Sequence, residues 1–348
     1  MTRVALALAA LLAATAASAQ TPKRLVVVDQ DADGPAGSGQ MSILALLQSP
    51  AVDVLGITVV TGDVWRDEAV AHTLRMLELT GHGSVPVVPG AVFPLVRTQE
   101  ETRIDAQRFG KVVWLGAWTE GGHASSVVPP LPEGSPTTKA AAEDAAHFLI
   151  RQVHAHPGEV TIYAAGPLTN IALALALDPG FAELTRGIVL MGGSLNPQTD
   201  EPEFATSPRH EFNFWFDPEA SHNVLRAHWP RIDVTTVDVS IKTKLTEEMF
   251  AAIARSSAPV AQYIAKYETE KGYMWDELAA CAWLDPSLIT KTRDLYLDVD
   301  VSHGPSYGDT LTWTDALKPS IDVRLAHAQV DVDSARFAKM FVDLMTRR

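Results

Sequence analysis

Residues 24–47 read RLVVVDQDADGPAGSGQMSILALL, and the architecture turns on this stretch. An apolar, β-branched run at 25–28 stops at Asp29-Gln30-Asp31-Ala32-Asp33. Gly34, Pro35, Gly37 and Gly39 then break the chain, and apolar residues at helical spacing begin near Gln40. Strand, acidic loop and helix in succession open a doubly wound α/β domain, whose ligand site lies beyond the carboxyl ends of its strands. A dinucleotide-binding unit would carry bare glycines there to admit phosphate to a helix N-terminus. Carboxylates repel phosphate and suit a hard cation. A solvated turn accounts for the same residues equally well, since Asp and Gly are the commonest turn formers.

The first 19 residues, MTRVALALAALLAATAASA, stand apart. Arg3 is a positive n-region, 4–17 an apolar core, and Ala17-Ser18-Ala19 an A-x-A cleavage box before Gln20, as in a secretory signal. The expectation is a periplasmic or secreted protein with one domain over 20–348. No other window is long and apolar enough to span a bilayer. The formal charge is −14, or −15 once Arg3 is removed, which disfavours nucleic acid or an anionic membrane face as partner. Cys281 is the single cysteine, so no intramolecular disulfide forms; its apolar helical setting suits a buried, inert thiol.

Alternation of strand and helix continues along the chain. Strands are expected at 52–60, 85–89, 159–164, 187–191 and 231–239, and helices at 67–79, 139–154, 170–177, 218–227, 246–267 and 277–284. The tail alternates as strands at 295–301, 308–313 and 320–325, followed by a helix at 333–345. Residues 97–136 are polar, rich in Gly and Pro towards their end, and carry Trp114 and Trp118, as a long binding loop or lid would. The pattern is α/β, with a mostly parallel central sheet flanked by helices in Rossmann-like order.

Four places put polar groups at the ends of apolar runs: Asp29/Asp31/Asp33, Ala164–Asn170, Met191–Asn196 with Glu211–Trp215, and Trp275-Asp276-Glu277. Each has a plainer reading. Thr169-Asn170 and Asp276 could be helix caps, as Asp217 before Pro218 is. Met191-Gly192-Gly193 could be a tight turn. Glu211 and Asn213 alternate around Phe212 and could face solvent from a half-buried strand. In one parallel-sheet topology, however, all four fall on the same edge.

These residues carry a resemblance. VVVDQD, SPAVDVLGITVVTGD, AAGPLTNIALAL, IVLMGGSLN with HEFNFWFDPEA, and WDELAACAWLDPSLIT occur in the order found in the inosine/uridine-preferring nucleoside hydrolases, from about residue 24 to the C-terminus. The resemblance implies hydrolysis of the N-glycosidic bond of ribonucleosides and a Ca²⁺ ion at the carboxyl edge of the sheet. Asp31 matches the metal-ligating aspartate that also activates water, and Asp29 a supporting position two residues earlier. Ala165 matches a backbone-carbonyl ligand, and Asp276 the late aspartate that closes the coordination sphere. Asn196, Glu211 and Asn213 match groups that grip the ribose hydroxyls, and Asp63 stands where an asparagine is usual. Oxygen ligands without paired His or Cys agree with Ca²⁺ or Mg²⁺ rather than zinc.

The chain also departs from that family. The last two aspartates of D-x-D-x-x-x-D-D are missing, and Ser38, Gly39 or Gln40 takes their place, with Asp33 as an extra carboxylate and the Gln40 carbonyl as a substitute ligand. Trp275 replaces a histidine thought to protonate the leaving base; Trp has no such proton to give but stacks on one. His123 and His210 are the alternatives considered for that proton. A hydrolase of ribonucleosides or of related N-ribosides is therefore expected, with a ribose- or nucleoside-binding protein that has lost turnover as the alternative. Association into homo-oligomers is left open.

Overall fold

The computed structural model describes residues 22–269 and 271–348, so the expected signal at 1–19 lies outside the described residues. Nine strands form one sheet: β1 (Arg24–Gln30), β2 (Val52–Val59), β3 (Val87–Pro89), β4 (Val160–Ala165), β5 (Gly187–Met191), β6 (Ile232–Thr235), β7 (Ile289–Val299), β8 (Thr310–Trp313) and β9 (Arg324–Val332). Their order is β3-β2-β1-β4-β5-β6-β9-β7-β8. Every pair from β3 to β9 is parallel, and β7 runs antiparallel to both its neighbours. The chain builds outward from β1 to β3, then returns and builds the other way from β4. The carboxyl ends of β1 and β4 therefore flank the point where strand order reverses, and there a crevice opens.

Both faces of the sheet are covered, which is why its strands read as unbroken apolar runs. Val26 and Val28 point into a core closed by the helices Gly37–Gln48, Arg66–Thr80, Trp275–Leu284 and Ser334–Met345. Val27 points the other way, under Ala145–Ala155, Thr169–Leu177 and Pro218–Arg226. The helix Trp275–Leu284 packs along Gly37–Gln48, bringing a late segment against the loop that follows β1.

Several expected boundaries move, each for a local reason. Residues 97–136 contain a helix, Gln99–Phe109, whose N-cap Thr98 accepts the Glu101 N–H; only Thr102 on it is buried, so it has no apolar stripe to read. The expected strand at 231–239 ends at Thr235, and Val237–Ser240 turns helical. The helical span at 246–267 divides into Glu247–Ala254 and Pro259–Tyr267, with the proline at the first helical turn. The helix expected from 139 starts at Ala145, after the Asp144 cap. The strand expected at 320–325 instead runs Arg324–Val332. Glu211 and Asn213 are not on a strand: Glu211 caps the short helix Phe212–Phe216. Among the described residues no helix is long and apolar enough to cross a membrane.

Candidate active site

A cavity of about 300 Å³ opens at the switch point, lined by Asp31, Ser38, Asp63, Val113, Trp114, Ala165, Met191, Glu203, Phe204, Glu211, Phe212, Asn213, Val237, Trp275 and Asp276. One end is acidic and the other is aromatic. Of the residues singled out in the sequence, Asp31, Asp63, Ala165, Glu211, Asn213, Trp275 and Asp276 meet here. Asp29 and Asn196 do not line it. Asp29 lies behind, accepting Thr58 Oγ1 at 2.5 Å and Asn170 Nδ2 at 2.8 Å, while its Oδ1 is buried without a partner. Burial pushes its carboxyl up to about 7. Asn196 is exposed, and its backbone N–H donates to Asp238.

Asp31 is placed by its surroundings. Its Oδ2 accepts the Asp63 N–H at 2.9 Å, and Gly62 and Gly166 flank the carboxylate so closely that a Cβ would meet it at 1.8 Å and 2.8 Å. Gln30, which sequence reasoning passed over, joins the two key aspartates. Its Oε1 accepts the Asp31 N–H at 2.9 Å and its Nε2 donates to Asp276 Oδ2 at 3.0 Å. Tyr163 OH holds the Asp276 carbonyl at 2.7 Å.

In the loop after β1, the residues weighed as replacements for an aspartate pair take different positions. Ser38 lines the cavity, donates to Glu277 Oε2 at 2.6 Å and accepts the Asp276 N–H at 3.2 Å. Gln40 turns away from the cavity. Its Oε1, considered above as a ligand, is taken by the Ala36 N–H at 2.9 Å and Tyr263 OH at 2.6 Å. Those two bonds hold the loop where Ala36 sits at φ 64°, a costly conformation for a residue with a Cβ. Asp33 does not line the cavity; its carboxylate lies near Gly37.

At the sugar-sized end, Glu211 accepts the N–H groups of Gly193, Asn213 and Phe214 at 2.8–3.0 Å, and Asn213 Nδ2 donates to the Met191 carbonyl at 3.1 Å. At the aromatic end, Trp114 reaches in from the long loop and donates to Asp63 Oδ1 at 2.7 Å. Trp118 is instead buried against Phe216, with ring centroids 4.3 Å apart. Phe204 meets Trp275 edge-on at 5.9 Å. His123 bonds Glu68 at 2.9 Å outside the cavity, and His210 is buried behind its wall. Phe204 and Glu203 belong to a Pro-rich segment whose composition offered no signal of a site.

Electrostatics sets the character of the place. Burial first, then Asp63 and Asp276, raise Asp31 well above the usual carboxylate range. Burial, with Asp63 and Glu211, does the same to Asp276. Burial lifts Asp63 to about 6 and Glu211 to about 7. No described residue lining the cavity is Lys, Arg or His, so only the Gln30 and Trp114 hydrogen bonds work against these shifts from the side-chain side. Among the described residues no three His, Cys, Asp or Glu side chains gather as a cage. Asp31 and Asp276 line the cavity with Ala165 and Ser38, whose further donors are a carbonyl and a hydroxyl oxygen. That set is oxygen-only and short of positive charge, and it fits a hard divalent cation with coordination left for water or substrate.

Buried, mutually repelling carboxylates beside an aromatic slot, at the switch point of a parallel sheet, define an α/β enzyme that does acid–base chemistry on a small molecule. The profile of the inosine-uridine preferring nucleoside hydrolases matches residues 26–339, and the chain belongs to that family. Its members are generally metal-dependent. Probable uridine nucleosidase 2 of Arabidopsis thaliana is 29% identical over 343 residues, covering 92% of this chain and 97% of that protein. The pyrimidine-specific ribonucleoside hydrolase RihB of Escherichia coli is 28% identical over 304 residues, covering 83% and 87%. Among solved structures, the plant nucleoside hydrolase PpNRh1 superposes with a TM-score of 0.74 at 24% identity, over 94% of this chain and 100% of that one. A purine-preferring ribonucleoside hydrolase from Gardnerella vaginalis gives 0.72 at 23% identity, over 93% and 98%.

Proposed function

We propose that this protein hydrolyses the N-glycosidic bond of ribonucleosides to free base and ribose, with Ca²⁺ as its metal. The observation that carries this reading is the meeting of Asp31 and Asp276 with Glu211, Asn213 and an aromatic slot in one cavity. Asp31, Asp276, Ala165 and Ser38 would hold the ion, which when bound lowers the pKa of water and supplies positive charge. Asp31 takes a proton from the attacking water. Its carboxylate cannot drift, because Gly62, Gly166 and the Asp63 N–H confine it. Glu211 and Asn213 bond the ribose hydroxyls, and the acidic end stabilises the positive charge that builds on the sugar ring as the bond breaks. Glu211 spends lone pairs on three backbone N–H groups, so its position is set before substrate arrives.

The expected secretory signal supports a periplasmic or secreted location. The test therefore uses mature protein recovered from that fraction, with an N-terminus expected at Gln20. It should release ribose from at least one of a panel of purine and pyrimidine ribonucleosides. Asp31→Asn should lower kcat by about 10³-fold or more while the melting temperature holds. Nucleoside binding by calorimetry without any ribose release would favour a binding protein. Ser38, a neutral group in the loop where the resemblance implies an aspartate pair, is the feature that favours that second reading.

A further inference from the structure

Breaking an N-glycosidic bond leaves its electron pair on the base, and a proton delivered there lowers the barrier. Trp275 supplies none, and both histidines considered from the sequence lie outside the cavity. At the aromatic end Asp63 is engaged by the Trp114 indole, and a second acid lies beside Phe204. Glu203 sits on the short helix Pro202–Thr206, within the segment joining the Met191–Asn196 region to Glu211. It lines the cavity beside Phe204, whose ring meets Trp275. Its side chain is 21% exposed, and His210 Nε2 is 3.9 Å from its Oε1, beyond hydrogen-bond reach. The neighbouring Glu201, by contrast, is taken by Tyr273 OH at 2.7 Å.

We propose that Glu203 is the general acid that protonates the departing base, an assignment that rests on the hydrolase reading above. Phe204 and Trp275 form the aromatic wall for the base, and the carboxyl beside them meets its ring nitrogen or carbonyl oxygen. Burial first, then Glu201, raise the Glu203 carboxyl above its ordinary value, which favours its protonated form. His210 offers no counter-charge, because burial and Arg97 lower it to about 4 and leave it neutral. In the step, the C1′–N bond breaks and its electron pair goes to the base, which takes the Glu203 proton. The water oxygen bonds C1′ as Asp31 takes its proton. Asp31 ends protonated and Glu203 ionised, and exchange with solvent restores both, so the sum is nucleoside plus water to base plus ribose.

The experiment compares inosine and uridine with p-nitrophenyl β-D-ribofuranoside, whose leaving group departs without a proton. Glu203→Gln should lower kcat on the nucleosides by about 10²–10⁴-fold and change it on the nitrophenyl riboside by less than about threefold. The alkaline limb of the wild-type kcat profile should vanish in the variant, and Glu203→Asp should recover part of the nucleoside rate. The ratio between substrates is insensitive to how much variant folds. Equal losses on both substrate types, or no loss on the nucleosides, overturns the assignment alone. Wild-type protein inert on the nitrophenyl riboside and on every member of the ribonucleoside panel overturns the hydrolase reading and this assignment with it.

Discussion

At Gly62 a single added carbon would fall 1.8 Å from Asp31 Oδ2, and Gly166 closes the opposite side of the same carboxylate. The Asp31 carboxylate is wedged between these two glycines, so Gly62→Ala must push it out of its place. A shift of about 1 Å at such a group costs on the order of 100-fold in rate. The expected outcome is a kcat loss of that size with little change in KM for the nucleoside, and unaltered kcat would show that Asp31 is not held by this wall. Gln30 makes the complementary point. D-Q-D is visible in the sequence, but its amide reaches a carboxylate 246 positions away. Nothing local to residue 30 announces that partner.

Among elements, the segment 97–136 departs most from its sequence reading. Its helix was hidden by a polar surface, while Trp114 delivers an indole N–H to Asp63 as an aromatic binding loop should. The loop that follows is tied down by Glu78, whose Oε1 accepts both N–H and Oγ1 of Thr137 and Thr138 at 2.6–2.8 Å. Burial alone would raise this carboxyl, but the Thr138, Arg75 and Thr137 bonds outweigh it and hold it well below the usual range. A depressed folded-state pKa stabilises above the unfolded value of about 4.3 and loses that contribution as pH falls towards the folded one. Glu78→Gln should therefore lower the melting temperature by a few degrees, about what a loss of this kind gives, at neutral pH. The gap to wild type should close in acid; a gap constant with pH would mean that the charge is not what anchors the loop.

For the whole molecule, the buried carboxylates carry a cost that depends on pH. Burial lifts Asp29 and Glu211 to about 7 and Asp63 to about 6; burial with Asp63 and Asp276 raises Asp31 well above the usual range, and burial with Asp63 and Glu211 does so for Asp276. A raised folded-state pKa gives stability that is complete below the unfolded value, about 4, and is lost as pH climbs through the folded one. Chelator-treated protein should lose melting temperature between about pH 5 and 8, and saturating Ca²⁺ should remove most of that loss. A calcium-induced shift that does not grow with pH would separate the ion from these carboxylates. Apolar runs, their turns and the acidic tip of the first strand were legible in the sequence, because periodicity and turn chemistry record how each segment is itself buried. The motif order carried the family as well. Only the tertiary structure decided that Asp276 joins Asp31, that Asp29 and Asn196 stand outside the cavity, that Ser38 rather than Gln40 faces it, and that Glu203 enters it. Those meetings depend on strand order and helix packing between segments far apart in the chain, and no local pattern encodes them.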